Sequence, residues 1–217
     1  MFSRDNTSQP KSKTREWVES IVFALILALL IRAFVVQAFK IPSGSMKNTL
    51  LIGDHILVNK FIYGIKIPII DRELVHFKDP ERRDIVVFTY PLDPSKDFIK
   101  RVIGVPGDRL RIEDKVVFVN NEPQLEPYTR FTDPNIRPGH VSPRDNLDTI
   151  TVPPDSLFVM GDNRDESYDS RFWRFVRLPA IKGKAFVIYF SWNQQGNLSL
   201  DSDIGMVRWK RIGNLIE

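Results

Sequence analysis

One apolar run constrains the fold of this chain more than any other feature. Residues 21–31 read IVFALILALLI, without a single polar side chain, so a helix there has no polar face to present to water. Arg32 interrupts the run, and mostly apolar residues then continue to Phe39. A helix needs about 20 residues to cross a bilayer. We therefore predict one transmembrane helix over residues 17–39, with Arg32 near its outer end, where its side chain can snorkel.

Two other interpretations of the run predict different surroundings. A cleaved signal peptide ends in a small-x-small site, but QAFKIP follows this run at residues 37–42. A buried core helix shows polar residues at helical spacing, and the run has none. The flank before it carries Arg4, Lys11, Lys13 and Arg15 against two acidic residues. Since positive flanks stay cytoplasmic, we predict a disordered cytoplasmic tail over 1–16 and an external domain over 40–217.

The external domain has the pattern of a mostly β protein. Branched and aromatic runs alternate with Gly, Pro and Asp turn signals, and the strand predictions are 50–58, 59–70, 84–90, 97–105, 116–119, 157–160 and 185–192. The pair Asn120-Asn121 predicts a hairpin turn. Prolines break the pattern across 122–154, which indicates a subdomain inserted over about 113–154.

Composition excludes several classes of function. The 217 residues carry a net charge of +4 and no cysteine, so disulfides, thiolate catalysis and cysteine-ligated zinc are excluded. Histidines are scattered and no H-E-x-x-H motif occurs, so we expect no metal or other cofactor. Basic residues are not gathered on one face or in a known module, which argues against a nucleic-acid partner.

The stretch 41–46, IPSGSM, is a candidate for chemistry because Ser43 and Ser45 flank a glycine in an exposed turn. Taken alone, a stretch of this kind is more often a polar linker. A nucleophilic serine needs a base, and none of the histidines has the context of a catalytic triad. Burial can lower the pKa of a lysine to about 7–8. Lys100 fits, because strand alternation puts it on the face of Phe98 and Val102, although an ordinary edge-strand lysine has the same spacing.

Four stretches in this order resemble the bacterial type I signal peptidases. They are SGSM at 43–46 with Thr49-Leu50, RDIVVF at 83–88, DFIKRVIGVPGD at 97–108, and GDNRDESYDSR at 161–171. The resemblance implies a signal-peptidase/LexA-like β domain in which Ser45 is the nucleophile and Lys100 the general base. It also implies the remaining roles: an oxyanion hole from Ser43 and the Ser45 N–H, Ser167 orienting Lys100, Asp169 and Arg171 supporting that loop, and substrate pockets at Phe39, Ile41, Pro42, Met46, Leu50 and Ile99.

The implied protein is a monomeric serine endopeptidase of the bacterial plasma membrane, with its catalytic domain on the periplasmic or extracellular face. Its partners are the lipid bilayer and preproteins, whose N-terminal signal peptides it removes. Lys47-Asn48 departs from the family pattern, which has a proline before Thr-Leu, and Glu166 replaces a common asparagine. Two alternatives stay open: a Ser–Lys protease that cleaves itself, as LexA-like repressors do, and an inactive membrane-tethered β domain that binds exported proteins.

Overall fold

The computed structural model describes residues 13–67, 72–193 and 207–217. Residues 1–12 of the tail predicted over 1–16, and the end of the strand predicted over 59–70, lie outside these ranges. Residues 13–16 of that tail are not disordered, because they form the first turn of a helix. The elements are α1 (Lys13–Phe34), β1 (Val36–Lys40), β2 (Asp54–Asn59), β3 (Gly64–Ile67), β4 (Arg72–His76), β5 (Ile85–Thr89), β6 (Asp97–Gly104), β7 (Arg109–Glu113), β8 (Val116–Val119), β9 (Glu122–Pro123), β10 (Leu147–Thr151), β11 (Ser156–Met160), α2 (Ser170–Trp173), β12 (Val176–Arg177) and β13 (Ile181–Ser191). The mostly β prediction is confirmed.

Helix α1 ends earlier than the sequence pattern predicts. It stops at Phe34, and β1 begins two residues later and pairs antiparallel with β2. The prediction of helix up to Phe39 is therefore wrong, because residues 36–40 satisfy their backbone groups by extending the sheet past β2. The apolar side chains of α1 are exposed, among them Trp17 at 71% and Phe23 at 69%. Among the residues described, no helix has both the length and the apolar character needed to cross a membrane.

Seven strands form the main antiparallel sheet, in the order β1-β2-β13-β5-β6-β11-β12. Strand β5 lies at its centre and is covered on both faces. Ile85 and Val87 pack into one core cluster, while Val86 and Phe88 pack into another. Burial on both faces explains why this strand is a continuous apolar run rather than an alternating one.

A second sheet, in the order β10-β7-β8-β9, takes three of its four strands, β8, β9 and β10, from the segment predicted as an insertion. Strands β8 and β9 are joined at Asn120-Asn121, both with positive φ, so the predicted hairpin is confirmed. Strand β10 lies in the stretch predicted to be irregular. Only Leu147 is buried in this strand, so it lacks the alternating apolar pattern that identifies a strand from sequence. The second sheet packs on Phe158 and Met160 of β11.

Strand register brings three distant segments together. On β6, Lys100 lies opposite Val86 of β5, and the next residue, Arg101, lies opposite Met160 of β11. The chain therefore leaves β11 at Gly161, beside Lys100. The turn between β1 and β2 is closed by two backbone hydrogen bonds, from the Ile41 N–H to Asp54 and from the Gly53 N–H to Ile41.

Candidate active site

The turn that carries Ser45 is held by its apolar neighbours. Ile41, Met46 and Leu50 are buried in the core cluster beneath the main sheet. Backbone hydrogen bonds from the Lys47 N–H to Gly44 and from the Leu50 N–H to Met46, at 3.0 and 2.8 Å, tighten the turn. Ser45 is 8% exposed. Because the next residue, Met46, is buried in the core, the Ser45 backbone is held in place, unlike that of a flexible linker.

Ser45 and Lys100 are in direct contact. The Lys100 Nζ donates to the Ser45 Oγ at 2.8 Å and to the carbonyl of Ile99 at 3.0 Å. Lys100 is 4% exposed, and its Nζ lies 5.3 Å from the centre of the Phe98 ring. Phe98 belongs to the face that strand alternation predicts for Lys100. A serine hydroxyl within hydrogen-bond reach of a candidate base is the geometry that nucleophilic catalysis requires.

Burial lowers the pKa of Lys100 to about 8. Desolvation of the ammonium is the main cause, and the positive charge of Arg171 acts in the same direction. The carboxylates of Asp169 and Asp162 oppose this shift but do not cancel it. A lysine with this pKa supplies a substantial fraction of neutral amine near pH 8, which an ordinary lysine does not.

The loop after β11 fits against the Ser45 turn at Gly161. A methyl group on Gly161 would collide with the Ser45 carbonyl and with the Ser167 side chain, so only glycine permits this approach. Asn163 fastens the two segments: its backbone N–H donates to the Ser45 carbonyl and its Nδ2 to the Gly44 carbonyl, both at 3.0 Å. Asn163 was not predicted as a site residue, because its partners are more than 100 positions away.

Ser167 lies at this junction, but no hydrogen bond joins it to Lys100 as the resemblance implies. Its Oγ is buried and makes no well-aligned hydrogen bond among the described residues, although it lies close enough to the Asp169 carboxylate to lower the pKa of that group. The predicted hydrogen bond to Lys100 is therefore absent from this conformation, in which the Nζ is turned to Ser45 and Ile99. A buried hydroxyl without a well-aligned hydrogen bond is costly, and rotation of the Ser167 side chain is the local change that would align it.

Asp169 and Arg171 form a buried ion pair. The Arg171 Nε and Nη2 donate to the two carboxylate oxygens of Asp169 at 2.9 and 2.8 Å, and the Gly161 N–H donates to the same carboxylate at 3.0 Å. Burial by itself raises the pKa of Asp169, but Arg171 and these hydrogen bonds hold it below the usual range. Arg171 also donates to the carbonyls of Arg144 and Arg164.

A cleft of about 540 Å³ opens beside Ser45 and Lys100. Of the six predicted pocket residues, Pro42 and Ile99 line it, Ile41, Met46 and Leu50 lie in the core, and Phe39 packs against that core. Ser43 also lines the cleft and is exposed. The backbone N–H of Ser45 donates to no backbone acceptor in the described residues. Both predicted oxyanion donors therefore lie at the turn, next to the Ser45 hydroxyl.

Sequence reasoning missed other residues around the cleft, among them Phe98, Glu166 and Tyr168, which line it. It also missed the buried pair of Arg101 and Asp162, joined by two hydrogen bonds of 2.8 Å. Thr49 donates to the same carboxylate. The presence of Asp162 in the GDNRD stretch was the available signal. No group of metal-binding side chains assembles within the described ranges.

The mainly antiparallel β fold, with a lysine buried against a serine hydroxyl, has the features of a serine hydrolase that uses a Ser–Lys pair. A family model described as signal peptidase, peptidase S26, matches residues 14–192. The chain therefore belongs to the signal peptidase S26 family.

Two relatives support this membership along most of the chain. A signal peptidase I of Pseudomonas fluorescens is 37% identical over 89% of this chain and 79% of its own length. A probable signal peptidase I-2 of a Synechocystis species is 36% identical over 93% of this chain and 84% of its own length. Among solved structures, a signal peptidase I from Enterococcus faecalis V583 has 27% identity and a TM-score of 0.41, over 50% of this chain and 97% of that one.

Proposed function

We propose that this chain is a membrane-bound serine endopeptidase that cleaves N-terminal signal peptides from exported preproteins. The observation that carries the proposal is the buried 2.8 Å contact between the Lys100 Nζ and the Ser45 Oγ. Membership of the S26 family and relatives named signal peptidase I add support. The same contact favours an active enzyme over the alternative of an inactive binding domain.

The residues present suffice for a complete acyl-transfer cycle. Neutral Lys100 takes the proton of the Ser45 hydroxyl as its oxygen attacks the scissile carbonyl. The oxyanion that forms accepts hydrogen bonds from the Ser45 N–H and the Ser43 hydroxyl. Lys100 then gives its proton to the departing amine, leaving an acyl group on Ser45. Water attacks this ester with Lys100 again as the base, which releases the signal peptide and restores the enzyme.

We test the assignment with preprotein that carries a small-x-small cleavage site. Ser45→Ala and Lys100→Met are each expected to abolish cleavage, since one removes the nucleophile and the other the base. Ser95→Ala and Lys96→Met, both on an exposed turn, are the matched controls and are expected to cleave at the rate of the unsubstituted chain. Substantial cleavage by Lys100→Met would show that the base is another group.

We also propose that α1 attaches the catalytic domain to the bacterial plasma membrane. Water-exposed apolar side chains along this helix support attachment, because a bilayer would cover them. They include Val18, Ile21, Val22, Leu25, Ile26, Leu27, Leu29 and Ile31. A single spanning segment, with a cytoplasmic N-terminus and the catalytic domain on the outer face, stays a prediction from the sequence.

Protease added to intact spheroplasts tests this topology. Digestion of the β domain is expected if it lies on the outer face, and a cytoplasmic marker protein must stay intact as the control. Full protection of the β domain would contradict the orientation. Release of the protein from membranes by high salt or carbonate would show that α1 lies on the bilayer surface rather than across it.

A further inference from the structure

The cleft contains charged side chains that the proposed chemistry does not use. Besides Lys100, its formally charged residues are Lys47, Asp97 and Glu166. Asp97 is neutralised by Lys182 at 2.8 Å. Within residues 13–67, 72–193 and 207–217, neither Lys47 nor Glu166 belongs to an ion pair. Two unneutralised charges of opposite sign therefore face the space that a substrate would fill.

Lys47 is held close to the nucleophile. Its N–H closes the turn onto Gly44 at 3.0 Å, and its side chain folds back over that glycine. A methyl group placed on Gly44 would lie 2.8 Å from the Lys47 Cε and 3.4 Å from its Nζ. The ammonium group therefore lies beside the Ser43–Ser45 turn, on the wall of the cleft that a peptide bound at Ser45 would fill.

Glu166 lies on the other loop that borders the cleft. Its Oε2 accepts from the Asn163 Nδ2 at 2.9 Å, and the same amide donates to the Gly44 carbonyl at 3.0 Å. A neutral amide leaves the carboxylate charge in place. Glu166 and Lys47 border the cleft from different loops. A given residue of a bound peptide is therefore closer to one of the two charges, and their electrostatic effects on that residue do not cancel.

We propose that Lys47 selects substrates by charge, favouring preproteins with an acidic side chain close to the scissile bond over those with a basic one there. This inference rests on the proposed peptidase function. An ammonium group on the wall of a cleft attracts a carboxylate of the bound peptide and repels an amine, and both effects contribute to selectivity. For a partly exposed pair, we expect about a two- to fivefold difference in kcat/KM between matched peptides.

The experiment uses peptides with one small-x-small site, varied to Glu, Gln or Lys at one flanking position at a time. The unsubstituted enzyme is expected to cleave in the order Glu, Gln, Lys at one or more positions. Lys47→Met is expected to remove that preference, Lys47→Glu to reverse it, and Lys47→Arg to keep it. Lys96→Met on an exposed turn is the matched control and is expected to change nothing.

Salt provides an independent readout, since it screens charges exposed to solvent. Raising the salt from about 0.05 to about 0.5 M is expected to shrink the Glu-to-Lys ratio without changing which bond is cut. Equal cleavage of all peptides by the unsubstituted enzyme, or a preference that survives in Lys47→Met, would overturn the inference. Failure to cleave any peptide would instead refute the proposed function, so the two failures are distinguishable.

Discussion

At the scale of single residues, the candidate site depends on one lysine whose side chain is buried and desolvated. Lys100 lies on β6 with its Nζ against Ser45, and burial lowers its pKa to about 8. The neutral amine is the form that accepts a proton from serine. The pKa of this group therefore sets the pH at which the proposed enzyme becomes active.

The pH profile of kcat/KM is expected to rise through an apparent pKa of about 8, the value for Lys100. Below that pH the amine is protonated, so the rate should fall about tenfold per pH unit. Steady-state cleavage of a peptide that has no ionisable side chain gives the profile. Measurement from about pH 5 to about pH 10 covers both the rise and the plateau above it. A rate that is independent of pH over this range would contradict a lysine base.

Gly161→Ala is expected to slow the proposed cleavage by displacing Ser45. The added methyl group meets the Ser45 carbonyl and Ser167, so the turn must move, and a shift of about 1 Å can cost roughly 100-fold in rate. Gly139→Ala is the matched control, because its nearest contact would be an ordinary 3.4 Å. Comparing kcat/KM of the two variants checks the prediction, and equal rates would contradict it.

Residue-level reasoning from sequence reached Lys100 because a strand with apolar neighbours implies burial. It did not reach the contact between Asn163 and Gly44, nor the orientation of the buried Ser167 hydroxyl. Both depend on side-chain rotation where two loops meet. A sequence pattern specifies which face of a strand is buried, but it does not specify rotamers in a loop closed by a contact this distant.

At the scale of elements, the segment around the second sheet supports the loop of residues 161–171. The backbones of Arg130 and Asn163 form an isolated parallel β-bridge between the two segments. Asp165 is paired with Lys115 at 3.0 Å and accepts from the backbone N–H groups of Thr132 and Asp133. The predicted insertion is therefore joined to the site loop by several polar contacts, which restrict the movement of Ser167.

Glu126→Gln is expected to loosen this support. Glu126 accepts two hydrogen bonds of 2.6 Å from the buried guanidinium of Arg164, and removing one partner of a buried pair costs about 3–5 kcal/mol. Urea unfolding measures the change in the free energy of unfolding. Lys78→Gln, which removes an exposed pair with Glu81, is the control and is expected to cost less than about 1 kcal/mol. Equal losses in both variants would contradict a supporting role for Glu126.

The strands that sequence predicts best are those with one dominant signal. Strands β5 and β6 lie inside the predicted runs because branched and aromatic residues are concentrated there. Strand β1 was missed, since VQAFK continues the apolar composition of α1 and only its pairing with β2 identifies it as a strand. Pairing with a distant strand is a tertiary effect, and composition within a short window does not contain it.

At the scale of the whole molecule, the buried amine of Lys100 also affects the stability of the fold. The unfolded chain holds the Lys100 proton up to the usual lysine value of 10.5, whereas in the folded protein the pKa of this group is about 8. Between these values the unfolded state binds more protons, so stability rises with pH through this window. Below about pH 8, the folded protein contains the buried Lys100 ammonium, and the desolvation of this charge lowers the free energy of unfolding by its full amount.

Lys100→Met is therefore expected to stabilise the protein while it abolishes activity. At about pH 7 the gain should approach about 3 kcal/mol, from the roughly 2.5-unit difference in pKa, and it should shrink as the pH rises from 8 towards 10.5. Chemical denaturation of both proteins at several pH values measures the gain. A variant that is less stable than the unsubstituted chain near neutral pH would contradict this expectation.

The desolvation of Lys100 also makes its amine a target for electrophilic reagents. Chemical modification of lysine requires the uncharged amine, and at about pH 8 the exposed lysines of a protein are almost entirely protonated. A small electrophile that enters the cleft beside Ser45 would thus meet a reactive amine at a pH that protects the surface lysines. Electrophilic groups designed to capture the serine would therefore find a second nucleophile 2.8 Å away.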